Sequence, residues 1–162
     1  MNKESQTKYV FIVRHGHAEF NASQDINRQL NPKGVAATKA AATFIMQQCK
    51  QFNLAVDVCI SSAAVRTQQT TEIISEINQI NNCQYYQELY STSVSSWLDK
   101  ITEERAQNII IVGHNPTFSQ IINNVCGYDL YMKPAHCAFI KLEILPDGII
   151  YPATLIEYYH NE

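Results

Sequence analysis

The sequence predicts an α/β fold of three layers, an α/β/α sandwich with helices on both faces of a mainly parallel central sheet. Short apolar, β-branched runs alternate with segments whose apolar residues recur at helical spacing, in the order β-α-β-α-β-α-β-α-β-β. The two clearest runs, YVFIV at 9–13 and NIIIV at 108–112, are apolar without alternation, as strands buried on both faces are. Each stops abruptly at groups that carry chemistry: Arg14-His15-Gly16-His17 after the first, Gly113-His114-Asn115-Pro116 after the second. In open sheets of this kind ligands bind beyond the carboxyl ends of the strands.

Taken in order, residues 9–13 form the first strand, and 14–30 a loop rich in Asn, Ser and Asp, longer than an ordinary connection and therefore a working loop. Asn31-Pro32 is an N-cap followed by proline at the first helical position, opening a helix to about residue 50 with Ala37, Ala41, Phe44, Ile45 and Cys49 on one stripe. Residues 56–60 form the second strand. Ser61 or Ser62 is expected to cap the next helix, which carries Val65, Ile73, Ile74 and Ile77 and has Arg66 in its first turn. A third strand is expected at 85–90, then a helix at 91–105 burying Val94, Trp97, Leu98 and Ile101. After the strand at 108–112, a helix buries Phe118, Ile121, Ile122 and Val125; strands at 138–145 and 149–156 follow, joined by the turn Pro146-Asp147-Gly148.

At 162 residues the chain fits a single domain spanning 1–162, large enough to bury its core without disulfide or metal support. The net charge of −3 offers no global attraction to nucleic acid or an anionic membrane, so anion binding must come from a local cluster of cations. The five scattered cysteines include no C-x-x-C pair and are expected as reduced core residues. The start MNKESQTK is polar, and the apolar stretch after it is too short for a signal or membrane segment, so the expected location is cytoplasmic.

Arg14 and Arg66 with His15 and His114, converging at strand ends, would make a pocket for a compact dianion, because guanidinium forks match phosphate oxygens. The helices opening near Ser62 and Pro116 would add their positive ends. A neutral His15 can attack phosphorus in line, while Arg14, Arg66 and His114 stabilise the charge on the transferring group. That division of labour needs His15 neutral and favours His114 protonated, so their pKa values are expected to be pushed apart. This chemistry requires no cofactor and no metal. A three-histidine zinc site from His15, His17 and His114 is the weaker alternative, since Arg14 and Arg66 would repel the ion.

The R-H-G tripeptide after the first strand, the arginine opening the second helix and G-H-N-P after a later strand resemble the histidine phosphatase superfamily. Arg28, Leu30 and Gly34 in R-x-L-x-x-x-G, together with I-I-V-G-H-N-P, are similar to its SixA-type phosphohistidine phosphatase branch. The resemblance spans roughly residues 9–145. It implies a phosphoglycerate mutase-like fold and a phosphate pocket of Arg14, His15, Arg66 and His114, with His15 the residue phosphorylated. It also implies that Arg28 helps line the pocket, a surface salt bridge being the other reading; Gly16 and Asn115, inside the two motifs, are taken as substrate contacts. Two positions depart from the pattern: His17 where an acidic residue usually follows R-H-G, and Asn31 where threonine is usual. The carboxylate that larger members carry after the third strand is replaced by Ser91, which leaves Glu19, Asp25, His17, Glu88 or no residue as general acid. Lack of a strong acid suits an easily departing imidazole better than an alkoxide. The implied activity is therefore dephosphorylation of a histidine on a signalling or phosphotransfer protein, with no nucleic acid and no membrane involved. The alternatives are a small-molecule phosphomonoesterase and a non-catalytic phosphoprotein-binding module.

Overall fold

The computed structural model describes residues 4–160; the first residues of the polar start lie outside that span. Six strands, β1 Gln6–Arg14, β2 Val58–Ser62, β3 Cys83–Tyr86, β4 Asn108–Gly113, β5 Cys137–Leu145 and β6 Gly148–Tyr159, form one sheet in the order β3-β2-β4-β1-β5-β6. The first four are mutually parallel where they pair, whereas β5 runs antiparallel to β1 and β6 antiparallel to β5. The parallel strands follow from the helical crossovers between them, and the antiparallel pair from the short turn at Pro146-Asp147.

Alternation along β1 divides the core. Val10 and Ile12 face helices α3 Val94–Glu103 and α4 Thr117–Cys126, where they meet Trp97, Ile101, Phe118 and Ile121. Phe11 and Val13 face α1 Pro32–Phe52 and α2 Val65–Asn78, where they meet Ala42, Phe44, Ile45 and Ile74. Each such Ile or Phe taken fully out of water contributes roughly 1.5–3 kcal/mol, so the central strands are held from both sides. The result is the expected three-layer sandwich. Asn31 caps α1 as predicted, its side chain accepting a hydrogen bond from the Gly34 amide.

Three local expectations need correction. Ser61 and Ser62 cap nothing: both belong to β2, and α2 starts after Ala64 without a side-chain cap. The buried face of α2 is mainly polar, comprising Arg66, Thr67, Thr70, Thr71 and Ile74, whereas Val65, Ile73 and Ile77 are only half-buried. The third strand comes earlier than predicted, at Cys83–Tyr86, and the chain then tightens into a 3-10 turn at Gln87–Leu89. All five cysteines are free thiols. No helix among the described residues is long and apolar enough to cross a membrane.

Candidate active site

Neighbouring strands β1 and β4 pair in register, with Arg14 opposite Gly113, so His15 and His114 leave the sheet side by side. Their ring centroids are 5.3 Å apart. The His15 amide continues the ladder by donating to the Gly113 carbonyl at 3.0 Å. Arg66 arrives from the first turn of α2, with Nε 3.4 Å from His15 Nε2 and Nη2 3.4 Å from His114 Nδ1. Arg14 is anchored through Nη1 to the Met132 carbonyl at 2.8 Å, and its buried Nε has no hydrogen-bond partner among the described residues. These four side chains meet, as their placement at strand ends predicted, around a cleft of about 350 Å³ also bordered by His17, Phe20 and Arg28.

Both imidazoles have defined tautomers. His15 Nδ1 lies 2.7 Å from the Gly16 carbonyl, which can only accept, so Nδ1 carries the proton and Nε2 keeps its lone pair. For His114, Nδ1 accepts from Arg66, which leaves Nε2 to donate to Ser62 Oγ at 2.6 Å. Ser62 Oγ bonds in turn to Thr67 Oγ1 at 2.9 Å. Ser62 thus replaces its expected role as a helix cap with that of support for His114.

The two histidines are not pushed apart in pKa, contrary to expectation: both go down. Burial is the first cause at His15, with smaller contributions from His114, Arg66 and Arg14 partly offset by the Gly16 carbonyl, and its pKa falls to about 3. Burial also leads at His114, reinforced by Arg66 and Arg14 and opposed by Asp25, giving about 4. They share one desolvated, cationic pocket, which disfavours a further positive charge on either ring.

Asp25, in the 3-10 turn Asp25–Asn27 of the long loop, anchors Arg66 and Arg28. Its Oδ2 accepts from Arg66 Nη2 at 3.0 Å and from the Tyr90 hydroxyl, its Oδ1 accepts from Arg28 Nη1 at 3.1 Å, and its carbonyl accepts from Arg66 Nη1 at 2.8 Å. The Tyr90 hydrogen bond first, and then the two guanidiniums, hold its carboxyl well below the usual carboxylate range. An ionised Asp25 has no proton to donate. Of the other acid candidates, Glu88 is exposed and turned toward Lys100 at 3.6 Å, and Glu19 is exposed with its carbonyl accepting from Arg28 Nε at 2.7 Å. His17 borders the cleft, its pKa lowered by burial and then by Lys33 and Arg14. Arg28 therefore reconciles both of its readings, bordering the cleft while paired with Asp25.

Gly16 and Asn115 have their polar groups engaged within the protein. The Gly16 amide donates to Thr70 Oγ1 at 3.1 Å, and a Cβ there would lie 2.8 Å from the Gly34 carbonyl and 2.7 Å from Thr38 Oγ1. The close approach it permits is thus to helix α1. Asn115 borders the cleft, donates from Nδ2 to the Met132 carbonyl at 2.8 Å and accepts at Oδ1 from the Ser119 amide and hydroxyl, tying the first turn of α4 to the 127–136 segment. Among the described residues no group of three His, Cys, Asp or Glu side chains is placed to hold a metal ion.

Sequence reasoning missed Ser62, Thr70 and Tyr90 as parts of this site. Arg66, Thr67, Thr70 and Thr71 recur at helical spacing, and such a polar stripe on a helix beside a buried strand was the available signal for the two on or bonded to α2. Tyr90 has no local signal, because it meets Asp25 across 65 residues of chain.

A family model of the histidine phosphatase superfamily (branch 1) matches residues 10–90, half of the chain. The chain belongs to the histidine phosphatase superfamily. Among the proteins it resembles, Phosphohistidine phosphatase SixA of Escherichia coli is 25% identical over 122 residues, covering 72% of this chain and 73% of the relative. Phosphoglycerate mutase 3 of Saccharomyces cerevisiae is 34% identical over 77 residues, which is 44% of this chain and a quarter of that one. In structure, a candidate phosphohistidine phosphatase SixA from Agrobacterium tumefaciens superposes with a TM-score of 0.80 at 24% identity, covering 96% of this chain and 99% of the other. The protein histidine phosphatase SixA complexed with tungstate gives 0.71 at 20% identity, with 89% and 97% covered. At these identities the superpositions establish the shared fold.

Proposed function

We propose that this protein is a phosphatase that takes a phosphoryl group from a histidine of a signalling or phosphotransfer protein and passes it to water through His15. The observation that carries the proposal is the state of His15: buried, neutral, with Nδ1 spent on a carbonyl and the lone pair of Nε2 in a cleft faced by Arg66. In the first step Nε2 bonds to phosphorus as the donor's N–P bond breaks, and the departing imidazole takes up a proton from solvent. In the second, water attacks phosphorus, the His15–phosphorus bond breaks and inorganic phosphate leaves. Charge on the equatorial oxygens is met by Arg66, by the unpartnered Nε of Arg14 and by His114. A bound phosphoryl dianion favours protonation of His114, reversing locally the effect of the arginines.

Phosphohistidine is preferred as donor because no carboxylic acid is available at the cleft among the described residues: Asp25 is ionised, Glu88 is turned toward Lys100 and Ser91 stands where a carboxylate would be expected. An imidazole leaving group, with a pKa of about 6.5, needs far less proton assistance than an alkoxide. The likeness to SixA supports the same choice, and tungstate, a tetrahedral oxyanion, is a stand-in for phosphate in the solved relative. The test is to supply the enzyme with a phosphohistidine carrier protein and, separately, a panel of phosphorylated metabolites, and to trap label on His15. Turnover of the carrier, with acid-labile phosphate on His15 and none on His15→Ala, is the expected result. Rapid turnover of metabolites alone would defeat the choice of donor, and binding without turnover would defeat the enzyme.

A further inference from the structure

Each arginine of the cleft is matched by one aromatic ring. Arg28 Cζ lies 4.8 Å from the Phe20 ring centroid, Arg14 Cζ 5.7 Å from that of Tyr131, and Arg66 Cζ 5.9 Å from that of Tyr90. Tyr90 is further engaged by Asp25 and by an edge contact with His114, so it is tied to the site's own side chains. The other two are different. Phe20 is 89% exposed and Tyr131 66% exposed, although each is held against a guanidinium. They come from separate loops, Phe20 from 14–30, which follows β1, and Tyr131 from 127–136, which precedes β5. Phe20 borders the cleft itself, and Tyr131 borders a separate groove of about 750 Å³ that runs along α4 past Pro116 and Ser119.

A solitary exposed aromatic needs no explanation. Two of them, each set against a cation of the same pocket, make a rim: the guanidinium side holds the ring in place and the remaining surface is left to water. Tyr, Phe and Arg are enriched at the centres of protein interfaces because a ring buries much area while losing little rotamer freedom. A phosphoryl group satisfies the arginines and ends there, so the rings can only contact what lies beyond it.

Resting on the phosphohistidine reading above, we infer that Phe20 and Tyr131 are specificity-determining residues that pack against the protein surface surrounding the phosphorylated histidine, so that a protein-borne donor is selected over a small one. The occupant of the rim is the folded partner carrying that histidine. The local charge agrees: Arg14, Arg28 and Arg66 border the cleft against one paired carboxylate, Asp25, which leaves it cationic and suited to a phosphorylated, anionic patch, although this chain as a whole is negative.

The experiment compares kcat/KM on a phosphohistidine carrier protein with kcat/KM on phosphoramidate, whose leaving group is ammonia, for the wild type, Phe20→Ala, Tyr131→Ala and Phe20→Leu. Each alanine variant is expected to lose about tenfold on the carrier, mainly through KM, and to lose at least several-fold less on phosphoramidate. Phe20→Leu is expected to recover most of the loss, because apolar area rather than the π face meets the partner. Equal losses on both donors would mean that the rings only position the arginines and would overturn the inference, as would full activity of both alanine variants on the carrier. A wild type that consumes phosphoramidate but no phosphohistidine protein would overturn both the rim and the reading beneath it. The substituted side chains are exposed, and an unchanged thermal midpoint verifies that folding is intact.

Discussion

Burying His15 as a neutral base should cost the protein stability in mild acid. In the unfolded chain the imidazole titrates near 6.5, whereas in the folded protein it is held to about 3. The sign follows from proton uptake. Above about pH 6.5 neither state binds the proton; below it the unfolded chain does and the folded one does not, so stability falls as pH falls, until the folded pKa is reached. One such site changes stability by about 1.4 kcal/mol per pH step in that window, which gives a loss of about 2 kcal/mol between about pH 8 and pH 5. The assay is urea unfolding at the two pH values for wild type and His15→Asn, which cannot take up a proton. Groups away from the pocket titrate in both proteins and cancel, and His114 stays buried beside Arg66 in both, so the wild type should lose about 2 kcal/mol more than the variant over the interval. Equal losses, within about 0.5 kcal/mol, would show that His15 is solvated or charged in the folded state, and the reasoning that makes it a buried neutral nucleophile would be wrong.

Gly34→Ala should destabilise by about 3 kcal/mol, lowering the thermal midpoint by roughly 6–12 °C. The new Cβ would sit 2.1 Å from the His17 carbonyl, where only separation of α1 from the 14–19 segment gives room; an unchanged midpoint would contradict the packing described. Asp25→Ala should split binding from turnover. Inorganic phosphate is expected to inhibit a few-fold more tightly because the pocket gains one net positive charge, while kcat falls about tenfold because Arg66 loses a side-chain anchor; parallel changes in the two constants would refute this.

Where the polypeptide announces its structure through local spacing, the architecture could be read in advance. β1 and β4 are apolar on both faces because helices cover both, and the histidines after them were recognisable from that position alone. The stripes of α1, α3 and α4 were equally plain, since their buried faces are apolar apart from Thr38 of α1. α2 was misread in part because its inner face serves the site: Thr67 and Thr70 turn inward to hold Ser62 and Gly16, so burial there does not follow hydrophobicity. Asp25 could be named only as a possible acid. Its actual partners, Arg66 and Tyr90, stand 41 and 65 residues away, and contacts of that range leave no periodic trace. The common lowering of both histidine pKa values was likewise invisible, because desolvation is a property of the assembled pocket.

The pairing of Arg14 with Gly113 restricts how this chain can change over time. Each strand residue advances the backbone about 3.3 Å and reverses the side-chain face. A residue inserted into β1 or β4 alone would therefore carry one imidazole away from the other and turn it aside, whatever amino acid was added. Substitutions at the buried positions 10–13 and 109–112 leave the register intact provided they remain apolar, and length can vary at the turn 146–147, at the other end of the sheet from the two histidines. Within the two central strands, by contrast, an insertion or deletion in one keeps the histidines together only when its neighbour undergoes the same change, so this pair tolerates replacement more readily than a change of length.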